Sequence, residues 1–269
     1  MTARSVSLEG SGPVRTVRLH RPPVNALDVE ALRELGATAD AVSADTQCRV
    51  VVLASAIEGV FCAGGDLKFW QTFPRELAPE VSLAGRETFA RIARIPKPTI
   101  AIIDGPVIGD GIALALSCDL RLASSRASFR LPEAGYGFIP GWGTLHHLVR
   151  TVGRTRSLDM ILTGRTVDAS SALEWGLVSR VERTDRLATG LDTLLDDLLT
   201  MSPTALCLAK AALMDGWEDP SGIPDQETNA FVRGWGSPDW QEGIAALLAK
   251  RPPRFATGWT SIPGDQHDP

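Results

Sequence analysis

The sequence predicts an α/β fold whose final third is almost entirely helical. Short runs of β-branched residues, such as RVVVLA (49–54) and TIAIID (99–104), alternate with segments whose apolar residues recur at helical spacing. This alternation indicates βα units around a buried, largely parallel sheet. From about Asp185 onward, three long helical patterns follow one another without a strand between them. We therefore divide the chain into a core (1–195), a helical region (196–257) and a mobile tail (258–269).

The first half of the core supplies a strand, a helix and two buried strands. Val14–Leu19 has the alternation of a strand, and Asp28 is placed to cap a helix that carries Leu32, Leu35, Ala39 and Val42 at helical spacing. The uninterrupted apolar runs Arg49–Ala54 and Thr99–Asp104 predict buried strands. Between them, Phe73–Glu80 contains two prolines and predicts a loop, and Ser82–Ile95 predicts a helix.

The second half continues with short strands and then with helices only. We predict strands at Leu120–Ala123, Ser128–Leu131 and Val178–Val181, and helices that begin at Thr144 and Thr155. The C-terminal helical patterns are LATGLDTLLDDLLTM, SPTALCLAKAALMDG and WQEGIAALLAKR.

Composition and charge narrow the class of function. A net charge of −5 and a sequence pI near 5.4 argue against binding along a nucleic-acid backbone. We find neither the apolar segment of a signal peptide nor a run of membrane-spanning length, and we expect no membrane association. Four cysteines (Cys48, Cys62, Cys118 and Cys207) lack CxxC spacing, which favours reduced thiols and a cytoplasmic location.

Two glycine loops are the first candidates for chemistry. In FCAGGDL (61–67) a glycine pair follows a buried strand, and in GPVIGDG (105–111) a glycine turn opens a helical segment. The dinucleotide motif GxGxxG is excluded because Leu114 stands where its third glycine would be, and no phosphate-loop Gly-Lys-Ser/Thr follows. Each loop is either a simple turn or a backbone N–H donor toward a developing oxyanion.

Glu133, in FRLPEAGYGFIPGWG, is the candidate acid or base. It follows a proline and precedes an aromatic-rich loop, surroundings that raise the pKa of a carboxyl group. The alternative is a glutamate that caps a helix or forms an ion pair, and this segment by itself favours that alternative.

Taken together and in order, these segments closely resemble the enoyl-CoA hydratase/isomerase (crotonase) superfamily over nearly the whole chain. The matching blocks are RPPVNALD, FCAGGDLK, IPKPTIAIIDGPVIGDG, CDLRLASSRASFRLPEAGYGFIPGWG, TGRTVDASSALEWGLVSRV and EGIAALLAKRPPRF. The resemblance implies a crotonase-like spiral of ββα turns with a C-terminal helical trimerisation region. It also implies a homotrimer or a hexamer formed as a dimer of trimers. The substrate would be an acyl-CoA thioester that itself carries the coenzyme A, so we expect neither a separate cofactor nor a metal.

The resemblance also assigns candidate site residues. Gly65 and Asp110 would donate backbone N–H groups to the thioester oxygen, and Glu133 would move protons. Ala63 would offer its carbonyl to the adenine of CoA, and Leu27 lies in the segment that lines the CoA channel. The full set expected to bind substrate or CoA is Leu27, Ala63, Gly65, Asp66, Leu67, Lys68, Gly109, Asp110, Tyr136, Gly141 and Trp142. Tyr136 and Trp142 are equally explained as packing residues.

One position departs from the two-glutamate hydratases of this superfamily. Their first glutamate falls at Ala113, which cannot donate or accept a proton. A single Glu133 suits either isomerase-like proton transfer or hydratase-like addition of water, and the sequence does not separate the two. The alternatives are other single-glutamate reactions (a C–C lyase or hydrolase) and a non-catalytic acyl-CoA-binding scaffold. A serine or cysteine hydrolase is rejected because there is no GxSxG elbow and no histidine placed to activate Cys62.

The side chain of Asp110 needs a separate explanation, because a carboxylate that faces an enolate would oppose its charge. We predict that Asp110 points away and caps its own helix, or that it is protonated. The alternative is that it supplies the carboxylate missing at Ala113.

Overall fold

Two β-sheets organise the chain in a computed structural model that describes residues 4–218 and 223–255. The strands, in chain order, are β1 (Val6–Glu9), β2 (Val14–Leu19), β3 (Val50–Ser55), β4 (Thr99–Ile103), β5 (Pro106–Ile108), β6 (Leu120–Ser124), β7 (Ser128–Arg130), β8 (Thr166–Asp168) and β9 (Arg180–Glu182). The larger sheet has the order β1-β2-β3-β4-β6-β9 and is parallel except for β1 with β2. The smaller sheet has the order β5-β7-β8, with β5 parallel to β7 and β8 antiparallel to β7.

Helices cover both faces of the larger sheet. In chain order, the helices of the described chain are α1 (Val29–Ala44), α2 (Leu67–Trp70), α3 (Ala78–Ala93), α4 (Gly111–Leu116), α5 (Thr144–Thr163), α6 (Ala169–Glu174), α7 (Leu187–Leu199), α8 (Pro203–Glu218), α9 (Ile223–Gly234) and α10 (Pro238–Leu248). Along β3, Val51 and Leu53 belong to the main core, whereas their neighbour Val50 packs with Leu187 and Leu194 of α7. Strands β3 and β4 are therefore buried on both faces, which explains their uninterrupted apolar runs.

Most predicted elements are found within a few residues of their expected positions, and the fold class is confirmed. Asp28 caps α1 as predicted, since its Oδ1 accepts from Ala31 N at 2.9 Å. The predicted division at residue 195 falls inside α7. The tail 258–269, which the sequence predicts to be mobile, lies outside the described residues.

The structure differs from the predictions at three places. Phe73–Glu80 is wrong as a loop, because a 3-10 turn covers Arg75–Leu77 and α3 begins at Ala78 with its proline in the first turn. Proline is accepted there because the first helical N–H groups need no intrahelical partner. The helices expected at Thr144 and Thr155 form one element with a kink at Gly153 (φ 80°). Strands β1, β5 and β8, which have three or four residues each, were not predicted.

Candidate active site

The two glycine loops meet beside β5. The backbones of Cys62 and Val107 pair as an isolated parallel β-bridge, in which Ile108 N donates to Cys62 O at 3.0 Å. Gly64 has φ +78°, and a β-carbon there would lie 2.8 Å from Ile108 O and 2.9 Å from Asp110 N. Such a contact is shorter than carbon and oxygen or nitrogen tolerate, so glycine is required for the loops to approach this closely.

At this meeting point the backbone N–H groups of Gly65 and Asp110 have no protein acceptor among the described residues. Their neighbours are used: Leu27 N donates to Gly64 O, Asp66 N to Leu27 O, and Gly109 N to Arg130 O, at 2.7–2.9 Å. Within residues 4–218 and 223–255, neither Gly65 N nor Asp110 N donates to another protein group. Backbone N–H groups are rarely left unpaired away from water, so this pair is suited to receive a ligand oxygen.

Glu133 lies over the second glycine loop. It begins a short 3-10 turn after β7 and is only 7% exposed. A β-carbon on Gly109 (φ +57°) would be 2.7 Å from Glu133 Oε1, so the carboxylate rests against this turn. Its other oxygen, Oε2, is buried and has no hydrogen-bond partner in the described chain. Burial, with a smaller contribution from the charge of Asp110, raises the pKa of Glu133 to about 7.

The side chain of Asp110 does not cap its own helix, and that prediction is wrong. No backbone N–H of α4 donates to it. Instead Oδ1 accepts from Gly141 N at 2.9 Å and from Thr144 Oγ1 at 3.1 Å, at the start of α5. The carboxyl group is buried, and burial raises its pKa while these two donors lower it. The hydrogen-bond partners of this carboxyl group therefore lie more than thirty residues ahead in the chain and not on α4.

Two tryptophans stand beside Gly65. A β-carbon on Gly65 would lie 3.4 Å from the Trp70 ring and 3.5 Å from Trp142 Cη2. The two rings meet edge to face with centroids 6.0 Å apart. Their indole N–H groups are both satisfied, by Leu27 O for Trp70 (2.9 Å) and by Val81 O for Trp142 (3.1 Å). Trp142 and Trp70 therefore both lie beside Gly65.

The other predicted residues fall into buried and exposed groups. The Leu27 side chain is in the core, and its backbone is hydrogen bonded to the FCAGGDL loop. Leu67, Lys68 and Tyr136 are exposed, the last at 65%, and no described contact joins Tyr136 to Gly65. Ala63 and Gly141 are partly exposed next to the two loops. Ala113 is fully buried within α4.

Sequence reasoning missed residues that hold these loops in place. Arg21 pairs with Asp28 at 2.7 Å and with Asp66 at 2.8 Å, and Asp66 in turn caps α2 by accepting from Lys68 N and Phe69 N. The nearby RPP and GGD motifs carry these residues, but nothing in their spacing shows that they pair. Gly85, in the middle of α3, was likewise unmarked, and Thr144 was marked only as the start of a helix.

The cysteine at this site, Cys62, is not in the state of a nucleophile. Cys62 is fully buried, its thiol donates to Asn25 O, and burial raises its pKa to about 12, so the thiol stays neutral. Across the described residues, no group of three His, Cys, Asp or Glu side chains is arranged to hold a metal ion. In the same residues no helix has both the length and the apolar character needed to cross a bilayer.

Several proteins that are similar to this chain in sequence or in structure are named as acyl-CoA hydratases. The chain is 36% identical over 243 residues to a probable enoyl-CoA hydratase 2 of Arabidopsis thaliana, covering 89% of this chain and 80% of the relative. It is 35% identical over 238 residues to the methylglutaconyl-CoA hydratase of Mus musculus, covering 86% and 75%. The crystal structure of enoyl-CoA hydratase from Bacillus anthracis superposes with a TM-score of 0.88 at 32% identity, covering 93% and 98%. The enoyl-CoA hydratase/isomerase family profile matches residues 9–258. Because the family profile matches most of the chain and these relatives are similar to it over most of its length, the chain belongs to the enoyl-CoA hydratase/isomerase family of enzymes.

Proposed function

We propose that the chain converts an enoyl-CoA thioester through an enolate, with Glu133 as its single acid and base. One observation carries the proposal: the buried Glu133 carboxylate rests on the turn that presents the free Asp110 N–H, next to the free Gly65 N–H. An oxygen held by both N–H groups would be stabilised as it gains charge, and one such donor contributes about 3–4 kcal/mol in well-studied enzymes. The coenzyme A belongs to the substrate, and no other cofactor is required.

Hydration is the first candidate reaction, because the relatives named above are hydratases. Glu133 takes a proton from water while the water oxygen bonds to the β-carbon of a 2-enoyl thioester. The electron pair of the double bond moves toward the thioester oxygen, where Gly65 N and Asp110 N donate to it. The α-carbon then takes the proton from Glu133 and the carbonyl re-forms. One carboxyl group that is half protonated near pH 7 can serve both steps.

Isomerisation is the second candidate, and Ala113 favours it. A buried alanine supplies no second carboxylate to hold the water. Without water, Glu133 would remove a proton from the α-carbon of a 3-enoyl thioester and return it to the γ-carbon, and the double bond would move into conjugation. The same two N–H groups would stabilise the dienolate.

The assembly we propose for the protein is the homotrimer or hexamer that the resemblance implies.

Mass spectrometry in heavy water separates these reactions. The purified protein is incubated with a trans-2-enoyl-CoA and with a 3-enoyl-CoA of the same chain length. A gain of one water from the 2-enoyl ester supports hydration. Conversion of the 3-enoyl ester with deuterium incorporation and no water gain supports isomerisation. Binding of both esters without exchange or conversion would contradict the proposal and favour a scaffold.

A further inference from the structure

The buried carboxyl group of Asp110 links the proposed oxyanion turn to the start of α5. Its Oδ1 accepts from Gly141 N at 2.9 Å and from the hydroxyl of the fully buried Thr144 at 3.1 Å. These two donors lie immediately before and two residues after Trp142. The backbone of Trp142 is therefore held from both sides by one side chain of the oxyanion turn.

Trp142 needs such a hold, because its backbone has φ +48°. For a bulky residue this left-handed conformation is unfavourable and persists only when neighbouring contacts enforce it. The indole is fixed as well: Nε1 donates to Val81 O, and the ring lies so close to Gly85 that a β-carbon there would be 2.2 Å away. Contacts to α3 thus hold the ring, and Asp110 holds the main chain.

The fixed ring ends beside the proposed thioester site. Trp142 Cη2 is 3.5 Å from the position of a β-carbon on Gly65, and the edge of Trp142 closes against Trp70. An acyl group that extends from an oxygen bound at Gly65 N would meet these rings within its first few carbons.

We propose that Asp110 is a positioning residue that sets acyl-group selectivity, because its carboxyl oxygen holds the turn that places Trp142 as a wall of the acyl site. That the ligand is an acyl-CoA rests on the proposed function. The hydrogen bonds by which Asp110 holds Gly141 and Thr144 do not depend on it. The proposal assigns the aspartate side chain a task separate from the N–H of the same residue.

Hydrogen exchange followed by mass spectrometry tests the hold without any substrate. In Asp110→Ala, the peptide that covers residues 138–147 should exchange about tenfold faster. Asp110→Asn, whose amide oxygen can accept from both donors, should restore the slow exchange. Thr144→Val removes only one donor and provides a second test if Asp110→Ala does not fold. The matched control is Asp168→Ala, since Asp168 accepts from Ser170 and Ser171 at the start of α6; it should leave the 138–147 peptide unchanged.

Binding of unreactive esters tests the consequence. Butanoyl-CoA and dodecanoyl-CoA are titrated calorimetrically, and the ratio of their Kd values should shift about fivefold in Asp110→Ala and in Thr144→Val, but not in Asp110→Asn or Asp168→Ala. Unchanged exchange in a folded Asp110→Ala would overturn the hold, and faster exchange with an unchanged Kd ratio would overturn its role in selectivity. Because neither measurement needs turnover, failure of the proposed reaction would be seen separately, as binding without conversion.

Discussion

The carboxylate of Glu133 lies so close to Gly109 that a side chain at position 109 would collide with it: a β-carbon there would stand 2.7 Å from Glu133 Oε1. This contact joins Pro132 and Glu133, which follow β7, to the turn at Gly109 and Asp110, which follows β5. It places the proposed acid/base directly against the residue that precedes the free Asp110 N–H.

Gly109→Ala should therefore displace the Glu133 carboxylate and strain a backbone at φ +57°. We expect kcat for the enoyl-CoA substrate to fall about 100-fold, since both the base and the neighbouring donor would move. Steady-state kinetics on the folded variant provides the measurement. Gly137→Ala is the matched control, because Gly137 also has positive φ (+73°) but its β-carbon would meet nothing within 4 Å. Equal losses in both variants would argue against the contact.

Glu133→Gln should abolish turnover while acyl-CoA binding persists. Glutamine has nearly the same shape but cannot exchange a proton, and loss of an acid/base group typically lowers a rate about 100- to 10,000-fold. The two readouts are kcat and the Kd for a saturated acyl-CoA. If the variant retained more than about a tenth of the activity, Glu133 would not be the acid/base.

The pH dependence of activity should follow Glu133. Its pKa is raised to about 7, so the base form accumulates, and kcat/KM rises, as the pH passes upward through 7. In Glu242→Gln the profile should stay the same, because Glu242 lies on α10, where it is partly exposed and pairs with Arg251 at 2.6 Å. A profile that is level between pH 5.5 and pH 8.5 would contradict a base with a pKa of about 7.

The same raised pKa predicts a pH-dependent stability difference. The ordinary pKa of a glutamate is 4.5, and that of Glu133 in the folded protein is about 7. At pH values between these two, the folded protein binds more protons at Glu133 than the unfolded chain does. The contribution of Glu133 to the free energy of unfolding therefore falls as the pH rises through this range. Glu133→Gln should be more stable than the unaltered protein at pH 8 by about 2 kcal/mol and nearly equal to it at pH 4.5, as measured by urea unfolding.

Gly64→Ala should disrupt the approach of the two loops. Its β-carbon would lie 2.8 Å from Ile108 O and 2.9 Å from Asp110 N, so one of the two N–H donors must move. We expect kcat to fall about 100- to 1000-fold, the loss seen when one oxyanion donor is removed elsewhere. Gly12→Ala is the control: its φ is similar (+69°), but no atom lies within 4 Å of the new β-carbon. Full activity in Gly64→Ala would mean that the donors do not act as a pair.

Sequence patterns predicted the parts of the fold that depend on near neighbours. The apolar runs at β3 and β4 are short and uninterrupted, as is typical of buried strands, and Asp28 caps the helix that directly follows it. The wrong interpretation of Phe73–Glu80 arose because proline breaks most structure but is favoured in a first helical turn. Strands β5 and β8 are both hydrogen bonded to β7 and form through this pairing, which is not a contact between near neighbours in the sequence.

By itself, the sequence determined the family, the two glycine loops and the single glutamate, because these are read from local motifs in a fixed order. Only the tertiary structure decided what Asp110 does. An aspartate before a helix ordinarily accepts an N–H from that helix, yet here the acceptor is taken by Gly141 and Thr144, which are 31 and 34 residues ahead. The pairing of Trp70 with Trp142 against Gly65 is of the same kind. Contacts across such separations depend on how the sheets and helices pack, and a local pattern carries no record of them.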